Sequence, residues 1–131
     1  MRNTLGKTER LKSKKIIESL FNDGIAIKTY PIILIFRIQE HPGDSPVQMA
    51  ATASKRSFPH ATDRNRLKRL IRESYRINKH ELYEYLESRK LKIVLIVMCG
   101  GKEMLEYDEI HEKIKRCLMR LIKEELPKFQ P

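Results

Sequence analysis

Residues 11–23, LKSKKIIESLFND, place Leu11, Ile16 and Leu20, with Ile17 beside them, along one side of a short helix that Gly24 stops. YPIILIFRI (30–38) is dense in β-branched and aromatic residues and predicts a strand. EHPGDSP (40–46) is a loop by composition, and VQMAATAS (47–54) alternates weakly as a second strand. Pro59 disfavours helix immediately before it, and Thr62 or Asp63 can cap the helix that follows over 61–76. A further short helix is predicted over 79–90, around Leu82 and Leu86. KIVLIVMC (92–99) reads as a buried strand ended by Gly100-Gly101. YDEIHEKIKRCLMRLIKEEL (107–126) is a long helix with Ile110, Ile114, Cys117, Leu118, Leu121 and Ile122 on one face, and Pro127 ends it. The order α–β–β–α–β–α describes a small α+β fold in one domain spanning 1–131, with termini left room to move.

Charge adds a second layer to this pattern. The net charge is +10, and it is concentrated. Residues 2–15 carry a net +5 and residues 55–76 a net +6, while the rest of the chain sums to −1. Such localisation is the footprint of a polyanion-binding protein. A membrane surface would also attract cations, but the C-terminal amphipathic segment is mixed in charge and nothing suggests a lipid anchor. IVLIVMC (93–99) is too short to span a bilayer, and MRNTLGKTERLKSKK has no apolar signal segment. With Cys99 and Cys117 read as ordinary thiols of a reducing compartment, the expected location is the cytoplasm.

The helix ATDRNRLKRLIRESYR (61–76) joins the two layers. At about 100° per residue, Leu67, Leu70, Ile71 and Ser74 share one face. Asn65, Lys68, Arg69, Arg72 and Arg76 share the opposite face, with Arg64 and Arg66 on the flanks. Docking by the apolar stripe turns the cations into a fixed array, which meets phosphates at low ordering cost. The alternative is a solvated face of i,i+4 ion pairs, but only Asp63 and Glu73 are at hand for six cations. Charge alone does not separate DNA from RNA. The chain has no helix-turn-helix spacing, zinc-finger ligand set or zipper, which turns the reading away from DNA.

Other chemistry is thin. His41, His60, His80 and His111 are scattered, and none stands at metal-ligand spacing with a cysteine. Cys117 belongs to an apolar helix face, and Gly100-Gly101 reads as a turn. Asp63 and Glu73 could hold Mg²⁺ in a stand-alone nuclease; helix-terminal and intrahelical charge roles suit them better. No catalytic residue is assigned.

RNRLKRLIRESYR (64–76) resembles the Arg-Asn-Arg signature helix of the protein subunit of bacterial ribonuclease P. ASK (53–55), ERLKSKKIIESLFNDG (9–24), LKIVLIVMCGG (91–101) and the last helix follow that family's order, so the resemblance covers nearly the whole chain. It implies a ribosomal-protein-S5-like α/β sandwich with a left-handed βαβ crossover through the signature helix. It also implies a catalytic RNA partner, a precursor tRNA substrate with its 5′ leader, and Mg²⁺ required by the RNA-catalysed reaction, with no cofactor on the protein. Arg64, Asn65, Lys68, Arg69, Arg72 and Arg76 are then expected on the RNA subunit, aided by Arg66, Lys55 and Arg56. Phe21 and Phe36 are expected on the leader, with Ile17 where the family often has an aromatic. Met98 stands where many members have Arg, and the 55–63 loop lacks the family's usual Gly and contains Pro59 and His60. A structural RNA-binding protein with no role in cleavage, ribosomal or other, is the alternative reading.

Overall fold

The computed structural model describes residues 6–129; Arg2 and the expectation about the chain termini lie outside that range. Helix α1 spans Lys14–Asp23 and opens at Ser13, whose hydroxyl accepts the Ile16 amide at 3.2 Å. It therefore starts later than the apolar pattern suggests. Leu11 precedes it in extended chain, its amide donating to the Met49 carbonyl at 2.8 Å. Gly24 ends the helix because the backbone passes close to the sheet there. A Cβ on it would lie 2.3 Å from Ile35 Cγ2 and 2.5 Å from the Leu20 carbonyl oxygen.

Strand β1 (Ile25–Thr29) was not expected from the sequence; it pairs antiparallel with β2 (Ile32–Ile38) across a turn at Tyr30-Pro31. The predicted strand thus begins at residue 32, because residues 30 and 31 belong to the turn. Then come β3 (Val47–Ala53), α2 (Ala61–Asn78), α3 (His80–Ser88), β4 (Ile93–Cys99) and α4 (Tyr107–Arg120). Beyond Arg120 the chain stays helical through a wider turn, Leu121–Glu125, and a tight one, Leu126–Phe129, that contains Pro127. The sheet order is β1-β2-β4-β3. β4 lies antiparallel to β2 and parallel to β3, so α2 and α3 form the crossover between two parallel neighbours. This is an α+β sandwich of the expected class.

Alternation along the strands divides the core in two. Ile27, Leu34, Phe36, Met49, Leu95 and Val97 face the layer of α2, α3 and α4, where they pack with Leu67, Ile71, Tyr75, Ile114 and Leu118. Ile35, Val94 and Ile96 face the other way, under Leu11 and Leu20 of the α1 segment. The first layer is broad and closed. The second is narrow, since one short helix covers only part of that sheet face.

Candidate nucleic-acid interface

Leu67, Ile71, Ser74 and Tyr75 of α2 are buried, and Leu70 is half-buried at the edge of the stripe. Tyr75 was not singled out from the sequence. It follows Ile71 by one helical turn, which is the signal that would have found it. Asn65, Arg66, Arg69 and Arg72 are exposed, while Arg64, Lys68 and Arg76 lie half-buried along the sides. Arg66 pairs directly with Glu106 at 3.4 Å on the exposed surface, and Arg76 pairs with Glu73 one turn back. Lys68, Arg69 and Arg72 make no ion pair with any described residue. The apolar stripe therefore holds Arg69 and Arg72 outward, with Lys68 half-buried beside them, and no carboxylate among the described residues is committed to the three.

The turn before α2 is built by backbone contacts. The Phe58 amide donates to the Ser54 carbonyl at 2.8 Å, and the Phe58 ring is buried beneath the loop. One guanidinium nitrogen of Arg64 donates to the carbonyls of Phe58 and Pro59, both at 2.8 Å. Arg64 thus braces the 55–60 turn as well as adding charge, a role its sequence position does not announce. Helix α2 starts at Ala61 with His60 at the N-cap, and no side chain caps it. The expected cap at Thr62 or Asp63 is displaced because both already lie inside the helix. Lys55 and Arg56 are exposed at the tip.

The other basic stretch runs to the same edge of the sheet. Arg10 bridges in parallel to Met49 of β3, the edge strand against which α2 also packs. Glu9, the one acid among residues 2–15, is turned inward. Its carboxylate accepts from Lys79 Nζ at 2.6 Å, the Tyr83 hydroxyl at 2.7 Å and the Gly6 amide at 2.6 Å. Burial alone would push the Glu9 carboxyl up. The hydrogen bonds from Lys79, Gly6 and Tyr83, with the Lys79 charge, outweigh that and hold it below its ordinary value. Lys7, Arg10, Lys12, Lys14 and Lys15 remain exposed. The two charge-rich stretches thus meet around β3, and the one acid of the first stretch is turned away from that face and paired with Lys79.

On the α1 side the sheet is partly open. Ile17 is half-buried and Phe21 is 49% exposed at the helix end. In front of them Ile33, Met98 and Thr52 lie in register across β2, β4 and β3, each partly accessible. Arg37 ties the helix to the sheet, donating to Ser19 Oγ at 2.9 Å and Gln39 Oε1 at 3.0 Å. Phe36 is not part of this surface. Its strand position is even-numbered, like Leu34, so its side chain enters the opposite layer. It is fully buried there, edge-on to Phe129 with ring centres 6.3 Å apart. The expectation of a leader-facing Phe36 is corrected accordingly. Ile33 and Met98 take the places on the open face, and the two-residue period of β2, once its pairing is known, identifies them.

Residues 5–122 match the family model of Ribonuclease P. The chain belongs to the ribonuclease P protein family. The ribonuclease P protein component of Porphyromonas gingivalis is 31% identical over 117 residues, covering 89% of this chain and 85% of the relative. That of Chlorobium phaeobacteroides is 31% identical over 134 residues, covering 95% and 92%. Two solved structures share the fold. The ribonuclease P protein of Staphylococcus aureus superposes with a TM-score of 0.67 at 17% identity, over 86% of this chain and 94% of that one. The protein from Thermotoga maritima gives 0.65 at 23% identity, over 86% and 96%.

The role of such a ribonuclease P protein is that of protein subunit in tRNA processing, and the remaining side chains are consistent with it. Asp63 and Glu73 are ten residues apart on one helix, about 15 Å along its axis, so they do not converge on a single ion. Among the described residues no group of three or more His, Cys, Asp or Glu stands together as a metal site. Cys99 and Cys117 are buried; burial pushes the Cys99 thiol up to about 11. His41 contacts the Ile93 carbonyl at 3.0 Å, and His111 lies 3.3 Å from Ser74 Oγ between α2 and α4. These histidines are structural ties. No helix among the described residues is long and apolar enough to cross a membrane.

Proposed function

We propose that this ribonuclease P protein binds a catalytic RNA through the basic face of α2 and presents the 5′ leader of precursor tRNA along the open face beside α1. The observation that carries the reading is the unpaired set of exposed Arg69 and Arg72 with half-buried Lys68 beside them, fixed by the buried Leu67, Ile71 and Tyr75. An array held by packing pays little ordering entropy when phosphates arrive. Asn65, Arg66 and Arg76 extend the set, Arg64 holds the adjoining turn in place, and Lys55 and Arg56 project from that turn. The exposed basic residues 7–15 continue the face around β3.

Phe21 and Ile17 form the apolar wall of the leader surface. An exposed ring on a rigid helix offers a face on which a single-stranded base stacks without sequence preference. The phosphodiester chemistry and its Mg²⁺ ions belong to the RNA. The protein's part is to reduce repulsion between two polyanions and to fix the leader, which raises substrate affinity and lowers the Mg²⁺ the RNA requires. The partners are thus the catalytic RNA and precursor tRNA in the cytoplasm, with neither DNA nor membrane involved.

Reconstitution tests this. Purified ribonuclease P RNA at low Mg²⁺ should cleave precursor tRNA at the leader junction far faster with the protein than without it. Protein alone should cleave nothing, even at high Mg²⁺. An RNA-binding protein that left cleavage unchanged would be a structural RNA binder, contrary to this reading.

A further inference from the structure

We propose that the depression between the Tyr30-Pro31 turn and the segment Gly101–Leu105 is a stacking site for one unpaired base of RNA. This rests on the RNA-binding reading above and adds a contact outside both α2 and the α1 groove. Tyr30 is 74% exposed, the most exposed of the large apolar or aromatic side chains identified on the described surface. A tyrosine so placed contributes little to the core, yet it is not loosely attached. Gly101 has a φ of +81°, and a Cβ there would lie 3.0 Å from both Tyr30 Oη and Pro31 Cβ. The glycine lets the loop backbone pass directly behind the phenol end of the ring. The Gly100 amide donates to the Pro31 carbonyl at 2.9 Å, joining loop and turn. Gly101 thus lets the loop seat an aromatic ring at the end of the sheet, while the Gly100 position contributes only its backbone amide.

The depression has a volume of about 360 Å³ and is lined by Tyr30, Pro31, Gly101, Lys102, Glu103 and Leu105. Its size falls at the lower end of small-ligand sites, which suits one base and its sugar. Aromatic, proline and leucine surfaces provide an apolar floor. Lys102 and Glu103 are both exposed at the rim and balance in charge. Binding here would therefore come from stacking, with little counterion release. The location fits an extended RNA face. Ser54, which precedes Lys55 and Arg56, donates its amide to the Cys99 carbonyl beside this loop. β2 and β3 are separated only by β4, so the turn lies about 10 Å from the start of the basic loop.

The chain contains no tryptophan, so Tyr30→Trp installs a single tryptophan at the site, excited selectively over the remaining tyrosines. Titrating the full-length variant with a single-stranded oligoadenylate should quench its emission as labelled oligonucleotide anisotropy rises. Tyr30→Ala should weaken that binding about tenfold, and Tyr30→Phe should keep it. The salt dependence should stay the same in all three, because no phosphate contact is removed. Emission indifferent to saturating RNA, with anisotropy still reporting a complex, would overturn the site and leave the α2 reading standing. Equal weakening by Tyr30→Phe and Tyr30→Ala would also overturn it, by showing that the ring does not stack. No binding of RNA by the unsubstituted protein would defeat the α2 reading and this site together.

Discussion

Phe21 is 49% exposed at the end of α1, whereas Phe36 has no exposed surface at all. Sequence alone gives both the same chemistry, and residues 32–38 offer no clean alternation, because both sheet faces are at least partly covered. Which face Phe36 occupies depends on the pairing of β2 with β1 and β4, and that is a long-range fact. The two residues should answer differently to the same change. Phe21→Ala should weaken affinity for leader-bearing precursor tRNA about tenfold, with little effect on leaderless tRNA or on melting. Phe36→Ala should cost about 3–5 kcal/mol of stability and affect both RNAs equally through unfolding. Paired affinity measurements and a melting curve for each variant check this. Arg64 shows a similar limit. Its charge is plain in the sequence, but its two bonds to the Phe58 and Pro59 carbonyls follow from the shape of a turn that no local pattern encodes.

At the scale of elements, α2 was the most legible. Its apolar residues recur at the helical period while its cations fill the other positions, so fold and function are written in one segment. Strand β1 was the least legible. It has five residues at the edge of the sheet, Ala26 and Lys28 are exposed, and a proline follows shortly after it. Such a segment is a strand only because β2 turns back along it. The start of α2 also departs from local expectation. His60 occupies the N-cap without a side-chain hydrogen bond, so the first-turn amides have no side-chain acceptor, although the Asp63 amide donates to the His60 carbonyl at 3.2 Å. His60→Ser should therefore stabilise the protein by about 1 kcal/mol, seen as a melting temperature a few degrees higher. Unchanged or lower stability would show that the turn at Phe58–Pro59 does not let a serine hydroxyl reach the helix amides.

Across the whole molecule, two basic stretches far apart in sequence share the edge strand β3, and Glu9 is drawn into the fold by Lys79. The excess charge of each stretch was countable from the sequence. Their adjacency was not, since the Glu9–Lys79 contact spans 70 positions. This internal pair carries a pH dependence. The Glu9 carboxyl is held below its ordinary 4.5, so its ionised form is favoured by folding. Its stabilising contribution is complete above that ordinary value and is lost as pH falls through the lower folded one. Denaturant unfolding across pH 2–6 should thus show a steeper acid loss for the natural protein than for Glu9→Gln, and parallel curves would contradict the assignment. The central claim, however, concerns the outward cations. The most direct test is the salt dependence of affinity for ribonuclease P RNA, compared between the natural protein and a variant combining Lys68→Ala, Arg69→Ala and Arg72→Ala. The slope of log affinity against log salt should shrink by about two to three while melting is preserved. An unchanged slope in a folded triple variant would contradict the account.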